Sequence, residues 1–335
     1  MPVVSRLIAR LPMPSRTAAR TIGIAAIVSQ AGIGVTGSVV RVTGSGLGCP
    51  TWPQCFPGSL VPEAHPEFHA LNQWIEFTNR MLISVVGVVA ALCLLAALRI
   101  RHEQPGRRRL VRLAWVMPLG VVAQAVIGGM TVLTGLLWWT VALHFLASAL
   151  MVWLATLLLA AFTEGDEQPR WYLPPAGRGL LKAQVAVLAA LLVAGTTVTG
   201  AGPHGGDPNT PRLRLPIETL ATVHGSLLVT FLVLLAAVGV AVHRRAKRLP
   251  PPAKLWRRYA VLVVVALAQG TLGSVQYALG VPETLVSFHV LGSSLVVIAT
   301  AALWCAARDR GPSISDVEHA ETRAGATAAA SHTPA

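Results

Sequence analysis

The chain has 335 residues, of which 53% are hydrophobic and 12% charged, and its mean hydropathy is +0.61. Soluble domains carry about 25% charged residues, so a set of soluble domains is excluded and lipid is the main solvent. The net charge of +13, from 27 basic and 14 acidic residues, raises nucleic acid as a partner; the placement of those charges decides against it. Four cysteines without closely spaced pairs exclude both a disulfide-stapled mini-fold and a zinc ribbon.

Residues 1–20 hold Arg6, Arg10, Arg16 and Arg20 and no acid. They read as a short anchor on the inner side of the membrane in preference to a cleavable presequence, because they run straight into the first span. A spanning helix needs roughly 20 apolar residues. Residues 21–40 form the first such stretch, and 81–98 the second, extended outward by Trp74 and Phe77. Between them, 41–74 is an outer loop with two cysteines. Residues 113–163 carry no Asp, Glu, Lys or Arg and are too long for one crossing; Thr134-Gly135 divides them into two helices. After a linker at 164–182 come 183–206, 219–242, 259–282 and 284–307, the last two separated by a Gly280-Val-Pro-Glu turn. The polar, Ala-rich 308–335 reads as a disordered tail.

The expected fold class is therefore an all-α integral membrane protein with eight transmembrane helices. They are expected as two pseudo-symmetric four-helix bundles, 21–163 and 183–307. With the N-terminus cytoplasmic, 23 of the 27 Lys and Arg residues fall inside, and only Arg41, Arg80, Arg212 and Arg214 fall outside. That asymmetry orients the chain with both termini, 1–20 and 308–335, and the 164–182 linker in the cytoplasm. It accounts for the basic excess through topology and anionic lipid, with no nucleic acid. Arg outnumbers Lys 24 to 3, as expected of a G+C-rich bacterial genome.

The segment beginning at Ala123 aligns with that beginning at Ala268 without a gap. An offset of 145 matches Gln124 to Gln269, Gly128 to Gly273, Gly135 to Gly280, His144 to His289 and Ser148 to Ser293, and places Asn79 on His224. Further back, Val42-Thr-Gly-Ser-Gly resembles Val198-Thr-Gly-Ala-Gly at an offset of 156, so the first half carries eleven extra residues in its outer loop. Two four-helix units in parallel repeat follow.

Ionisable residues within spans are costly and mark functional sites by default. His144, His224 and His289 qualify, each about 8–10 Å below the outer end of its helix. For any one of them the plainer role is an interhelical hydrogen bond. His224 and His289 together, on equivalent helix ends of one bundle, suit the two axial positions of a heme iron. Zinc needs three or four ligands, and no third one sits at that depth; a copper path needs lines of Met and Cys. His65, His69, His102, His243, His319 and His332 read as solvated surface. His204 either caps a site or simply makes a turn.

Cys49 and Cys55, in an oxidising compartment if the loop faces outward, are expected to form a disulfide, either a structural staple or a redox-active pair. Cys93 and Cys305 are inert buried thiols. Glu76 shares a helix face with Asn79 and is either a snorkelling interfacial acid or a proton-handling one. Gly44-Ser-Gly-Leu-Gly follows a membrane helix instead of a strand, which excludes a nucleotide loop.

Taken together, Arg41-Val-Thr-Gly-Ser-Gly-Leu-Gly-Cys-Pro-Thr-Trp-Pro-Gln-Cys, Ile75-Glu-Phe-Thr-Asn-Arg, Gly129-Met-Thr-Val-Leu-Thr-Gly, Thr199-Gly-Ala-Gly-Pro-His-Gly-Gly-Asp and the contexts of His224 and His289 resemble the heme A synthase family over roughly residues 20–307, most of all its actinobacterial branch. The resemblance implies oxidation of the C8 methyl of heme O, through two hydroxylations and loss of water, to the formyl group of heme A for terminal oxidases. It implies heme b between His224 and His289, substrate heme in the first unit on His144, and Glu76 as the catalytic acid or base. Heme O synthase and terminal oxidase assembly factors are the implied partners, within membrane lipid and with a homo-oligomer open. The family pattern Glu-x-x-His reads here Glu76-Phe-Thr-Asn79, so Asn79 inherits a position and not a ligand. The other function classes open to these residues are a di-heme electron-transfer protein and a heme or metal transporter.

Overall fold

The computed structural model describes residues 2–312 and is all-helical apart from one two-stranded ribbon. A short helix α1 (Pro2–Arg10) precedes α2 (Arg16–Val42), α3 (Ala70–Glu103), α4 (Arg108–Leu133) and α5 (Trp138–Thr163). A strand β1 (Arg170–Trp171) leads to α6 (Pro175–Ala201), α7 (Ile217–Ala246), α8 (Ala253–Ala278), α9 (Glu283–Ala306) and β2 (Arg308–Asp309). Among the described residues, the eight helices α2 to α9 are long and apolar enough to cross a membrane, matching the expected spans in number and order.

Several boundaries differ from the charge-free stretches. Helix α3 begins at Ala70, four residues ahead of the expected extension to Trp74, and Glu76 and Arg80, one turn apart, pair with each other inside it. Helix α6 stops at Ala201, five residues early, where Gly202-Pro203 cannot continue it. The four helices of the second half each start at a proline cap, Pro174, Pro216, Pro252 and Pro282. A proline there lacks only an N–H that the first turn leaves unpaired anyway.

The polypeptide beyond α9 departs from the expected free tail at its start. Strand β2 pairs antiparallel with β1, Tyr172 N–H donates to the Ala307 carbonyl at 3.0 Å, and Gly165 N–H donates to that of Gly311 at 2.9 Å. Arg310 Nη1 donates to the Glu167 carbonyl at 2.8 Å. These bonds fix residues 308–311 against the 164–174 linker; the remainder of the expected tail, 313–335, lies outside the described residues. We call this end of the helices the termini face, and the opposite end, which carries residues 43–69, the loop face.

Helices α2, α3, α4 and α5 form a closed ring in which each packs on two neighbours. Alanines line these contacts, among them Ala19, Ala26, Ala90, Ala97, Ala114, Ala155 and Ala161. Small residues let membrane helices approach closely where lipid supplies no hydrophobic drive between them. In the second half, α6 packs on α7 and α8 on α9, but the two hairpins approach each other only marginally. They are held by the first half: α9 lies against α2 and α5, and α6 against α5. Large side chains, including Phe231, Leu235, Leu255, Leu262 and Leu303, fill their common core. Val264, Val122 and Leu119 are each more than 60% exposed, on outward faces suited to acyl chains.

Candidate functional site

Both halves carry few buried side chains in one layer toward the loop face; Thr196 on α6, next to Gly195, is one that remains. On α7 the first buried residue is Phe231, on α8 the last is Ala266, and on α9 the first is Val296. His224 and His289 sit in the region left open. In the first half, α3 has no buried residue between Glu76 and Val86, α4 none between Met117 and Gly129, and α5 none between Thr140 and Met151. Asn79 and His144 sit there.

Each histidine faces a helical glycine. A Cβ at Gly128 would lie 3.3 Å from His144 Cε1, one at Gly273 would lie 2.9 Å from His289 Cε1, and one at Gly195 would lie 3.1 Å from His224 Cε1. Any larger residue would push the rings out of place. Gln124 Nε2 donates to the His144 carbonyl at 3.4 Å, and Gln269 Nε2 donates to that of His289 at 2.9 Å. The turns beyond recur as well: Gly135 and Leu136 have φ of 65° and 58°, Gly280 and Val281 of 75° and 63°. The offset of 145 read in the sequence is thus an offset of local geometry.

The ring nitrogens are not equivalent. His224 Nδ1 pairs with the Leu191 carbonyl at 3.1 Å, which leaves Nε2 as the free lone pair. His144 Nδ1 and His289 Nδ1 are buried without a partner among the described residues. Two imidazoles on separate hairpins, in a layer poor in buried side chains, fit the axial ligation of a heme iron. No group of three or more His, Cys, Asp or Glu able to hold a metal ion occurs among the described residues. Asn79 differs from its repeat counterpart: its Oδ1 lies 2.7 Å from Thr36 Oγ1 on α2.

Glu76 is 4% exposed and is not a snorkelling side chain. Its Oε2 accepts from Cys49 N–H at 2.8 Å, and its Oε1 accepts from Arg80 Nε at 3.0 Å and from Arg80 Nη2. Arg80 in turn donates to the carbonyls of Cys49 at 2.6 Å and Thr51 at 2.8 Å. Cys49 and Cys55 form a disulfide, and with Phe56, Phe68 and Phe77 they make a small core of the loop's own. The cysteine loop and the acid are therefore one unit. The Gly-rich run before it serves close approach: Gly46 N–H donates to the Gly206 carbonyl at 2.8 Å, and a Cβ at Gly48 would meet the Asn72 backbone. His204 Nε2 lies 2.8 Å from the Val281 carbonyl, so the 202–216 loop is fastened to the α8–α9 turn.

Three residues counted in the sequence only as loop-side charges belong to this region. Arg80 is the partner of Glu76; the spacing of four residues was the available signal. Arg41 Nη2 and Arg212 Nη2 both donate to the Thr199 carbonyl, at 2.8 and 2.6 Å. Burial holds the Arg212 guanidinium below its ordinary pKa by disfavouring the charged form.

Residues 20–204 match the family model COX15-CtaA, described as cytochrome oxidase assembly protein. The chain belongs to this family. The match covers Cys49, Cys55, Glu76, Asn79 and His144 and ends before His224 and His289. Among curated relatives it is similar to the heme A synthase of Geobacillus thermodenitrificans, 34% identical over 128 residues, which are 38% of this chain and 37% of that one. It is also similar to the heme A synthase of Lysinibacillus sphaericus, 37% identical over 139 residues (41% and 42%). A third, the heme A synthase of Shouchella clausii, is 31% identical over 141 residues (42% and 44%). The matched stretches thus span less than half the length of these relatives.

Proposed function

We propose that this member of the COX15-CtaA family is a heme A synthase, which oxidises the C8 methyl of heme O to a formyl group. The observation that carries the reading is the pair of layers poor in buried side chains, one lined by His144 and the other by His224 and His289, each imidazole resting against a helical glycine. The relatives' names and the family match point the same way. His224 and His289 would hold heme b, which would supply one-electron transfer. Leu191 orients His224 by fixing the Nδ1 tautomer.

Heme O is the substrate and is held by His144 in the first half. Asn79, an amide and a poor ligand beside imidazole, leaves the opposite face of that iron without a protein ligand. The amide is anchored by Thr36 and offers its remaining hydrogen-bonding capacity to that face. Glu76 takes up protons released as the methyl group is oxidised; Arg80 and the Cys49 N–H hold its carboxylate in one orientation. The loop face lies outside the cytoplasm of a bacterial cell membrane and the termini inside it, with heme O synthase and oxidase assembly factors as partners.

The test is expression beside a source of heme O, followed by chromatography of the extracted hemes. Heme A is expected. Heme B and unconverted heme O alone would instead leave a di-heme electron carrier.

A further inference from the structure

Arg41, in the last turn of α2, and Arg212, in the 202–216 loop, bring two guanidinium groups onto one carbonyl oxygen, that of Thr199. Arg212 Nε also donates to the Gly202 carbonyl at 2.9 Å. Neither arginine has a carboxylate within ion-pair distance among the described residues. Arg41 Nε is buried and has no hydrogen-bond partner among the described residues. Two like charges drawn out of bulk water onto a shared neutral acceptor are desolvated and repel each other. Such a pair is completed by an anion, and the planar fork of arginine matches a carboxylate best.

The position selects which carboxylate. Thr199 lies one helical turn, about 6 Å, beyond Gly195 toward the loop face, and Gly195 is the residue against which the His224 ring rests. On the opposite side of the histidine layer the two hairpins are closed by apolar side chains, Phe231, Leu262 and Val296 among them. A heme between His224 and His289 has two propionates on one edge. That edge cannot face the apolar floor without burying unpaired carboxylates. We infer that Arg41 and Arg212 form the propionate site of the heme b held by His224 and His289, so that a residue of the first half completes a binding site of the second. The inference rests on the heme b assignment above.

The test is a potentiometric titration of the purified full-length protein with its hemes, in wild type and in Arg41→Gln, Arg212→Gln, the two Lys counterparts, and Arg214→Gln, a change at an exposed position of the same loop. Removing a positive charge beside the propionates stabilises ferric over ferrous iron. Each Gln variant is expected to shift that equilibrium about tenfold, a fall of 59 mV for a one-electron couple, or to lose heme b outright. The Lys variants retain heme b close to the wild-type potential, and Arg214→Gln leaves it unchanged. Wild-type potentials in both Gln variants overturn the inference, as does equal loss of heme b in the Gln and Lys variants. Loss of heme O with heme b untouched assigns the arginines to the substrate and overturns it too. A wild type without six-coordinate heme b defeats the heme b assignment itself, which separates that failure from failure of the arginine site.

Discussion

The first four long helices close into a ring and the last four do not. In the ring, alanines allow backbones to meet all the way round. In the second half, hairpins with bulky apolar side chains meet toward the termini face and leave the histidine level open. The repeat nevertheless conserves detail across this difference: the Gln-to-His carbonyl bond, the glycine beside each imidazole and the left-handed turn all recur at 145 residues. What changes is the partner across the layer. His224 and His289 stand on different hairpins, whereas Asn79 and His144 stand on α3 and α5 of a closed ring of helices. On the proposed function, one scaffold would offer a two-histidine position for electron transfer and a one-histidine position for chemistry on a substrate heme.

The comparison breaks most completely at its ligands. Replacing His224 or His289 with Ala is expected to abolish the low-spin heme b spectrum while the purified protein keeps its helical circular dichroism; an unchanged six-coordinate spectrum in both variants would falsify the ligand assignment. His144→Ala acts on the other half alone. It is expected to lose bound heme O and heme A formation and to keep the heme b spectrum, and loss of both hemes together would show that the two positions are not separate. Glu76→Gln and Arg80→Ala are expected to lower the rate of heme A formation by about 10²–10⁴-fold, the range of a positioned acid or base, with heme b content unchanged. A wild-type rate in Glu76→Gln removes the acid from the chemistry.

Asn79→His sharpens the comparison by making the halves alike. Bound heme O is expected to move toward six-coordinate low spin, read by its absorption and electron paramagnetic resonance spectra, with slower oxidation; a spectrum identical to wild type means that position 79 does not face the iron. The smallest effect belongs to the disulfide. Cys49→Ser is expected to lower stability by about 2 kcal/mol, measured as a lower unfolding temperature. It should reduce activity less than Arg80→Ala does, because the Cys49 backbone groups that bind Glu76 and Arg80 remain.

Much of this was legible in the sequence because lipid imposes a simple rule on backbone groups. Charge-free stretches of about 20 residues gave the eight spans, and Thr134-Gly135 gave the division between α4 and α5 at a turn with φ of 65° at Gly135. The histidine positions and their repeat could be read from spacing alone. Helix α3 starts only four residues before Trp74, but the pairing of Glu76 with Arg80 inside it was not read from their spacing. The separation of the two hairpins could not be read at all: it depends on side chains meeting across helices far apart in sequence. The convergence of Arg41 and Arg212 on Thr199 was hidden for the same reason, since Arg41 and its acceptor are 158 positions apart. Counting arginines by side of the membrane located them without showing what they touch.

The central claim, that one scaffold holds one heme by two histidines and another by a single histidine, is tested most directly by electron paramagnetic resonance of the oxidised full-length protein purified with both hemes. The account predicts one low-spin signal, lost in His224→Ala and in His289→Ala, beside one high-spin signal lost in His144→Ala. Two low-spin signals, or a low-spin signal that survives loss of His224 and His289, would contradict it.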